Sequence, residues 1–197
     1  MAVADDGPWL VVGLGNPGAE YAATRHNVGA MVVDVLVARC GGKLSAHRRG
    51  RADVAEERLA GRRLILARPR SYMNESGGPV RALGDFYGVP AHRLLVIHDE
   101  LDIPYGALRL KLGGGDNGHN GLRSVRSSLG SGDFHRLRVG VGRPPGRQDP
   151  AEFVLKPFSA VERRELPLIL DRAADAVDQL LRDGLAVTQN SVHSDPA

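Results

Sequence analysis

The segment RLLVIHDE, from Arg93 to Glu100, limits most sharply what this chain can fold into. Its apolar stretch Leu94–Ile97 has no polar residue between its members, so a strand built from it has no face to give to water and must be covered on both sides. The run WLVVGLG from Trp9 to Gly15 has the same character, and RLILARP supplies the buried half of a hairpin whose strands, 51–59 and 62–68, flank Gly61. Between such runs the period changes. Val28, Met31, Val32, Val35 and Leu36 recur at helical spacing from Asn27 until Gly41 and Gly42 stop it, 76–87 opens a helix near Pro79, and Leu122–Leu129 reads as another. ALRLKL from Ala107 alternates like a half-exposed strand, and RLRVGVG gives one more. Ser159 and Glu162 have capping-box spacing ahead of a long helix marked by Leu166, Ile169, Leu170, Ala173, Val177, Leu180 and Leu181, with Pro167 early enough to kink rather than abolish it. The alternation predicts an α/β fold, a single domain with a twisted mixed β-sheet flanked by helices on both faces. At 197 residues and 42% hydrophobic content, one core suffices. NSVHSDPA lacks apolar periodicity, so residues 191–197 are expected to be a disordered tail.

The opening MAVADDGPWL carries acids where a signal peptide carries lysines, and no apolar run approaches the ~18 residues of a membrane span, so a soluble, cytoplasmic protein is expected. The single cysteine, Cys40, excludes an internal disulfide and any multi-cysteine metal site. Charge is unevenly spread. Residues 43–70 hold nine Lys/Arg against three acids, 109–147 hold eight against two, and 149–197 reverse to five against nine. Two basic stretches and an acidic end fit one face turned to a polyanion, although an arginine-rich solvated surface would look the same.

Gly13, Gly15 and Gly18 in GLGNPG match the dinucleotide fingerprint, with Asp34 near the distance of a ribose-binding acid. Asp34, however, lies inside a helical pattern instead of at a strand end, and Pro17 and Gly18 interrupt the expected helix start. Nicotinamide or flavin binding is therefore not expected. Gly113–Gly115 lacks the ending of a phosphate loop, no GxSxG supplies an elbow serine, and Cys40, at an apolar helix end, reads as a packed thiol, so a nucleophile, if the chemistry uses one, should be water. HDELD puts Asp99, Glu100 and Asp102 at the carboxyl end of the best strand, where open α/β sheets hold ligands. These carboxylates could hold a divalent metal, or one could orient a histidine while the others stay solvated. The loop Asn16–Gly29 holds Asn16, Tyr21, His26 and Asn27, and further asparagines, Asn74 and Asn120, fall in loops before helices. Asparagine is a favoured helix cap, which would explain any one of them alone.

Taken together, GLGNPGAEYAATRHNVG, PRSYMNESG, VIHDELD, LKLGGGDNGHNGLRS and FHRLRVGVGRP resemble the bacterial peptidyl-tRNA hydrolase family, in its order and from about Leu10 to Gly184. The resemblance makes residues 1–9 an N-terminal extension and 10–190 the hydrolase domain. It implies cleavage of the ester between a peptide, or an N-blocked aminoacyl group, and the 3' end of tRNA, which recycles tRNA from peptidyl-tRNA released prematurely from ribosomes. It casts His26 as general base on water, oriented by Asp99, with Asn16, Asn74 and Asn120 lining the site. Tyr21, Tyr72 and Met73 would border the peptide and terminal adenosine, and Lys111, His119 and Arg138 would lie near the acceptor strand. No metal, cofactor or membrane partner is implied, and a monomer is expected. The loop GGGDNGHNG departs from the family at Asp116 and Asn117.

Overall fold

The computed structural model describes residues 6–194. Its sheet has seven strands in the order β2-β3-β4-β1-β5-β7-β6: β1 (Trp9–Gly13), β2 (Ser45–Ala46), β3 (Ala52–Leu59), β4 (Arg62–Pro69), β5 (Leu94–Glu100), β6 (Leu108–Leu112) and β7 (His135–Gly140). Strands β4, β1, β5 and β7 run parallel, and β3 and β6 pair antiparallel at their flanks. The apolar runs are the interior strands, and every residue of β5 is buried. Alternate residues of β1 go to opposite faces. Val11 joins a core with α1 (Val28–Arg39) and the long C-terminal helix, whereas Leu10 and Val12 join one beneath the two helices of the other face. Helices therefore cover both sides of a mixed sheet, as the alternation of periods predicts.

The second face is built by α2 (Gly77–Tyr87) and α3 (Asn120–Leu129), and the hairpin, α1 and β5 end within a residue or two of their expected limits. The first face is completed by α4 (Pro150–Val154), α5 (Ala160–Asp183) and α6 (Leu185–Ser194). The capping box of α5 is formed: Ser159 Oγ accepts from the Glu162 N–H at 3.2 Å and Glu162 accepts from the Ser159 N–H at 2.8 Å. The helix runs through Pro167.

The C-terminal end differs from expectation, whereas β1 begins where the apolar run does. Trp9 belongs to β1, and α6 continues through residues 191–194, where a disordered tail is expected; residues 1–5 and 195–197 lie outside the described residues. The ordering of α6 has a clear cause. His193 Nε2 accepts from the Leu110 N–H and Gln189 donates to the Leu110 carbonyl, both at 3.0 Å, so side chains of α6 satisfy the open edge of β6. No helix among the described residues is long and apolar enough to cross a membrane.

Candidate active site

The glycines that imitate a dinucleotide fingerprint serve packing. A Cβ on Gly13 would strike the Gly29 carbonyl, and one on Gly29 would strike the Ile97 carbonyl, so α1 sits directly on the carboxyl ends of β1 and β5. Gly15 leaves room for the Asn27 amide, and Gly18 takes a φ of +102° in the loop that follows. This close approach places the 3-10 turn Arg25–Asn27 beside the end of β5, and with it His26 beside Asp99.

His26 Nδ1 lies 2.8 Å from Asp99 Oδ2 and 3.0 Å from Oδ1. Asp99 is 3% exposed and receives a second imidazole, with His119 Nε2 2.8 Å from Oδ1. His119 is the N-cap of α3: its Nδ1 accepts from the N–H groups of Gly121 at 3.1 Å and Leu122 at 3.3 Å. Accepting at Nδ1 fixes the proton on Nε2, so His119 donates to Asp99. The carboxylate likewise draws the proton of His26 to Nδ1 and leaves His26 Nε2 as a free lone pair at a cavity of about 510 Å³. Burial pushes the Asp99 carboxyl upward, but the flanking imidazoles outweigh it and hold the group well below the ordinary carboxylate range. Burial likewise disfavours charge on His26, yet Asp99, by charge and hydrogen bond, holds its pKa above the usual value. A third histidine, His98, donates from Nδ1 to the Asp99 carbonyl at 2.8 Å. Burial, assisted by His119, lowers its pKa to about 3 and keeps it neutral.

The asparagines divide into braced and free. Asn27 grips the Asn16 backbone at both ends: its Oδ1 accepts from the Asn16 N–H and its Nδ2 donates to the Asn16 carbonyl, each at 2.9 Å. Asn16 Oδ1 in turn accepts from the Met73 N–H at 2.7 Å, which orients its amide and leaves Nδ2 as the spare donor. Asn74, in the 3-10 turn Met73–Glu75, and Asn120, in the first turn of α3, are exposed. Asn16, His26, Met73, Asn74, Asp99, His119 and Asn120 all line the same cavity. Tyr21 and Tyr72 do not; they meet edge to face with centroids 6.5 Å apart, and Tyr72 is 55% exposed. Lys111 and Arg138 line a neighbouring cavity of about 250 Å³, which shares Glu100 and Asn117 with the first.

The carboxylates of HDELD part company. Asp99 goes to the two histidines, Glu100 to Asn117 at 2.9 Å and Arg138 at 3.4 Å, and Asp102 to Asn117 at 3.1 Å and Arg143. They do not form one metal cage. His26, Asp99 and His119 do lie close enough to share an ion, with ligand atoms within 4.8 Å. Coordination by His119 Nε2 would require its proton to move to Nδ1, which faces two backbone N–H groups, so the donor set fits a metal poorly.

Sequence reasoning missed three things. His119 faces Asp99 and caps α3, the place that sequence reasoning gave to Asn120. Asn27, next to His26 in the sequence, is a brace. The far wall of the cavity, Asp149, Pro150, Ala151, Val154 and Leu155, comes from α4 and its flanks, and the Asp-Pro pair at 149–150 is an N-cap and N1 signal that could have revealed it.

A family model described as peptidyl-tRNA hydrolase matches residues 10–197. A peptidyl-tRNA hydrolase of Frankia alni is 64% identical over 96% of this chain and 96% of its own length, and one of Nocardia farcinica is 59% identical over 98% and 100%. The crystal structure of peptidyl-tRNA hydrolase from Acinetobacter baumannii superposes with a TM-score of 0.90 at 34% identity, covering 98% of each chain.

Proposed function

We propose, for a chain that belongs to the peptidyl-tRNA hydrolase family, that it hydrolyses the ester between a peptide or N-blocked aminoacyl group and the 3' end of tRNA, with His26 as general base. The observation that carries this reading is the single lone pair left at the cavity by the His119–Asp99–His26 arrangement. Water held at His26 Nε2 loses a proton to it as the water oxygen attacks the ester carbonyl. Asp99 stabilises the imidazolium so formed. When the tetrahedral intermediate collapses, the acyl–oxygen bond breaks and His26 returns the proton to the ribose oxygen of tRNA, so that the base ends as it began.

The amides face different tasks. Asn16 Nδ2, aimed by Met73 and braced by Asn27, is the preorganised donor and suits the developing oxyanion. Asn74 and Asn120, without side-chain partners among the described residues, suit the peptide main chain. Met73 lines the wall beside them, and the exposed ring of Tyr72, paired with Tyr21, offers a stacking surface for the terminal adenosine. Lys111 and Arg138 in the adjoining cavity suit a phosphate of the acceptor strand. His119 acts through Asp99 as a positioning residue. No metal is assigned a step, and a cytosolic monomer belongs to the same proposal.

The test is incubation with an N-blocked aminoacyl-tRNA and its unblocked counterpart, both products identified, before and after exhaustive chelation. Cleavage confined to the blocked substrate, yielding intact tRNA and surviving chelation, is expected. Equal cleavage of both, or activity lost to the chelator and restored by a metal, rejects the reading. A non-catalytic tRNA-binding protein would leave both substrates whole.

A further inference from the structure

Arg25, immediately before the base, has no part in the chemistry above, yet its guanidinium is buried, with the residue 7% exposed. Nη1 donates to the Phe153 carbonyl at 3.1 Å, Nη2 to Glu162 at 2.7 Å, and the guanidinium carbon lies 3.9 Å from the centre of the Phe153 ring. The Arg25 backbone N–H donates to the Lys156 carbonyl at 3.1 Å, and Thr24 bridges Pro157. Phe153 belongs to α4, whose residues wall the cavity, and Glu162 closes the capping box of α5. A helix as short as α4 cannot hold itself, because nucleation outweighs what one turn returns. Its position is set from outside, by the Asp149 cap, by burial of Phe153 and Val154 in the core, and by the contacts with the residue next to His26.

We propose that Arg25 is a positioning residue that holds the α4 wall of the cavity in its substrate-binding place, so that the wall is already formed when substrate enters. The inference rests on the hydrolase reading. Arginine suits the task because its planar fork donates in two directions while its face stacks on a ring, which lysine cannot reproduce. With Arg25 buried and Glu162 half-buried, the ion pair adds little net stability over apolar packing, so a geometric purpose accounts for it better than a stabilising one.

Steady-state kinetics on N-blocked aminoacyl-tRNA test it. Arg25→Lys keeps a charge opposite Glu162 but loses the fork and the stacking, and is expected to raise KM about tenfold while kcat stays within about twofold. Phe153→Leu keeps both hydrogen bonds and removes the ring; a smaller rise in KM is expected, and the double variant should rise less than the product of the two. A merely structural role would lower kcat with the folded fraction and leave KM alone, and that result overturns the proposal. Should Arg25→Lys fail to fold, Phe153→Leu decides, and an unchanged KM rejects the idea. Wild-type enzyme that leaves the blocked substrate intact instead overturns the hydrolase reading, and this inference with it.

Discussion

The histidines around Asp99 differ in what their surroundings allow them to do. His26 keeps a lone pair toward the cavity, His119 spends its lone pair on the start of α3, and His98 is enclosed. Because Asp99 holds the pKa of His26 up, kcat/KM should rise with pH through a midpoint above about 6.5. Asp99→Asn removes the charge and puts a donor NH2 in place of one of the two acceptor oxygens between the imidazoles. The variant should lose activity by roughly 10² to 10⁴, and its residual acid limb should move to lower pH. A pH profile displaced upward would contradict this assignment of base and partner. His98 gives a separate prediction, on stability. Its folded pKa is depressed to about 3, so its contribution is complete above the unfolded value and drains away as pH falls from about 6.5. Wild type should lose on the order of 2 to 3 kcal/mol between pH ~7 and pH ~4.5 from this group, and His98→Gln should lose correspondingly less in urea titrations at the two pH values. Equal losses would show that His98 is not held neutral.

At the scale of elements, the site depends on how closely α1 can approach the sheet. Gly29→Ala pushes a methyl group into the Ile97 carbonyl, backbone against backbone, with no flexible side chain to yield. It should destabilise the fold by about 1 to 3 kcal/mol and lower kcat as well, since the turn holding His26 must move with α1. Urea unfolding and turnover measured on one preparation check both; unaltered stability would mean that α1 can withdraw freely. Elements legible in the sequence were those whose own pattern decides them: buried strands as apolar runs, α1 and α5 as helical stripes, the hairpin by Gly61. Those missed are held by partners distant in sequence. Polar LAVTQNSVHS becomes a helix because His193 and Gln189 complete the edge of β6, and α4 is a single turn whose Phe153 carbonyl accepts from Arg25, far away in sequence. The site shows the same division. His26, Asp99 and the asparagines were visible as residue types in loops, whereas the turn of His119 toward Asp99 depends on where the glycine-rich loop returns α3, which no local pattern records.

For the whole molecule, the question is how one cavity of about 510 Å³ serves a substrate far larger than itself. The basic stretch 109–147 contributes Lys111, Arg136 and Arg138 to the second cavity, against one buried acid, Glu100, so positive charge collects beside the site. Arg136 is already engaged with the carbonyls of Gly114 at 2.7 Å and Gly132 at 3.1 Å, which makes it a strut of the glycine-rich loop. Lys111 is the cation of this cavity available to phosphate, and Arg138 can add to it only with the part of its guanidinium that Glu100 leaves free. Neutralising phosphates releases counterions, so KM for a tRNA substrate should rise steeply with salt, while KM for a minimal ester of an N-blocked amino acid should hardly change. Lys111→Ala should weaken tRNA binding at low salt and flatten the slope of log K against log salt by about 1. It is a cleaner probe than Arg138→Ala, which would strand the buried Glu100 carboxylate and mix electrostatic loss with local rearrangement. Arg138→Lys keeps that charge and should preserve most of the slope. If Lys111→Ala left the salt dependence as steep as in wild type, the phosphate contacts would have to be sought in the other basic stretch, 43–70, and the cavity shared by Lys111 and Arg138 would lose its role in holding the acceptor strand.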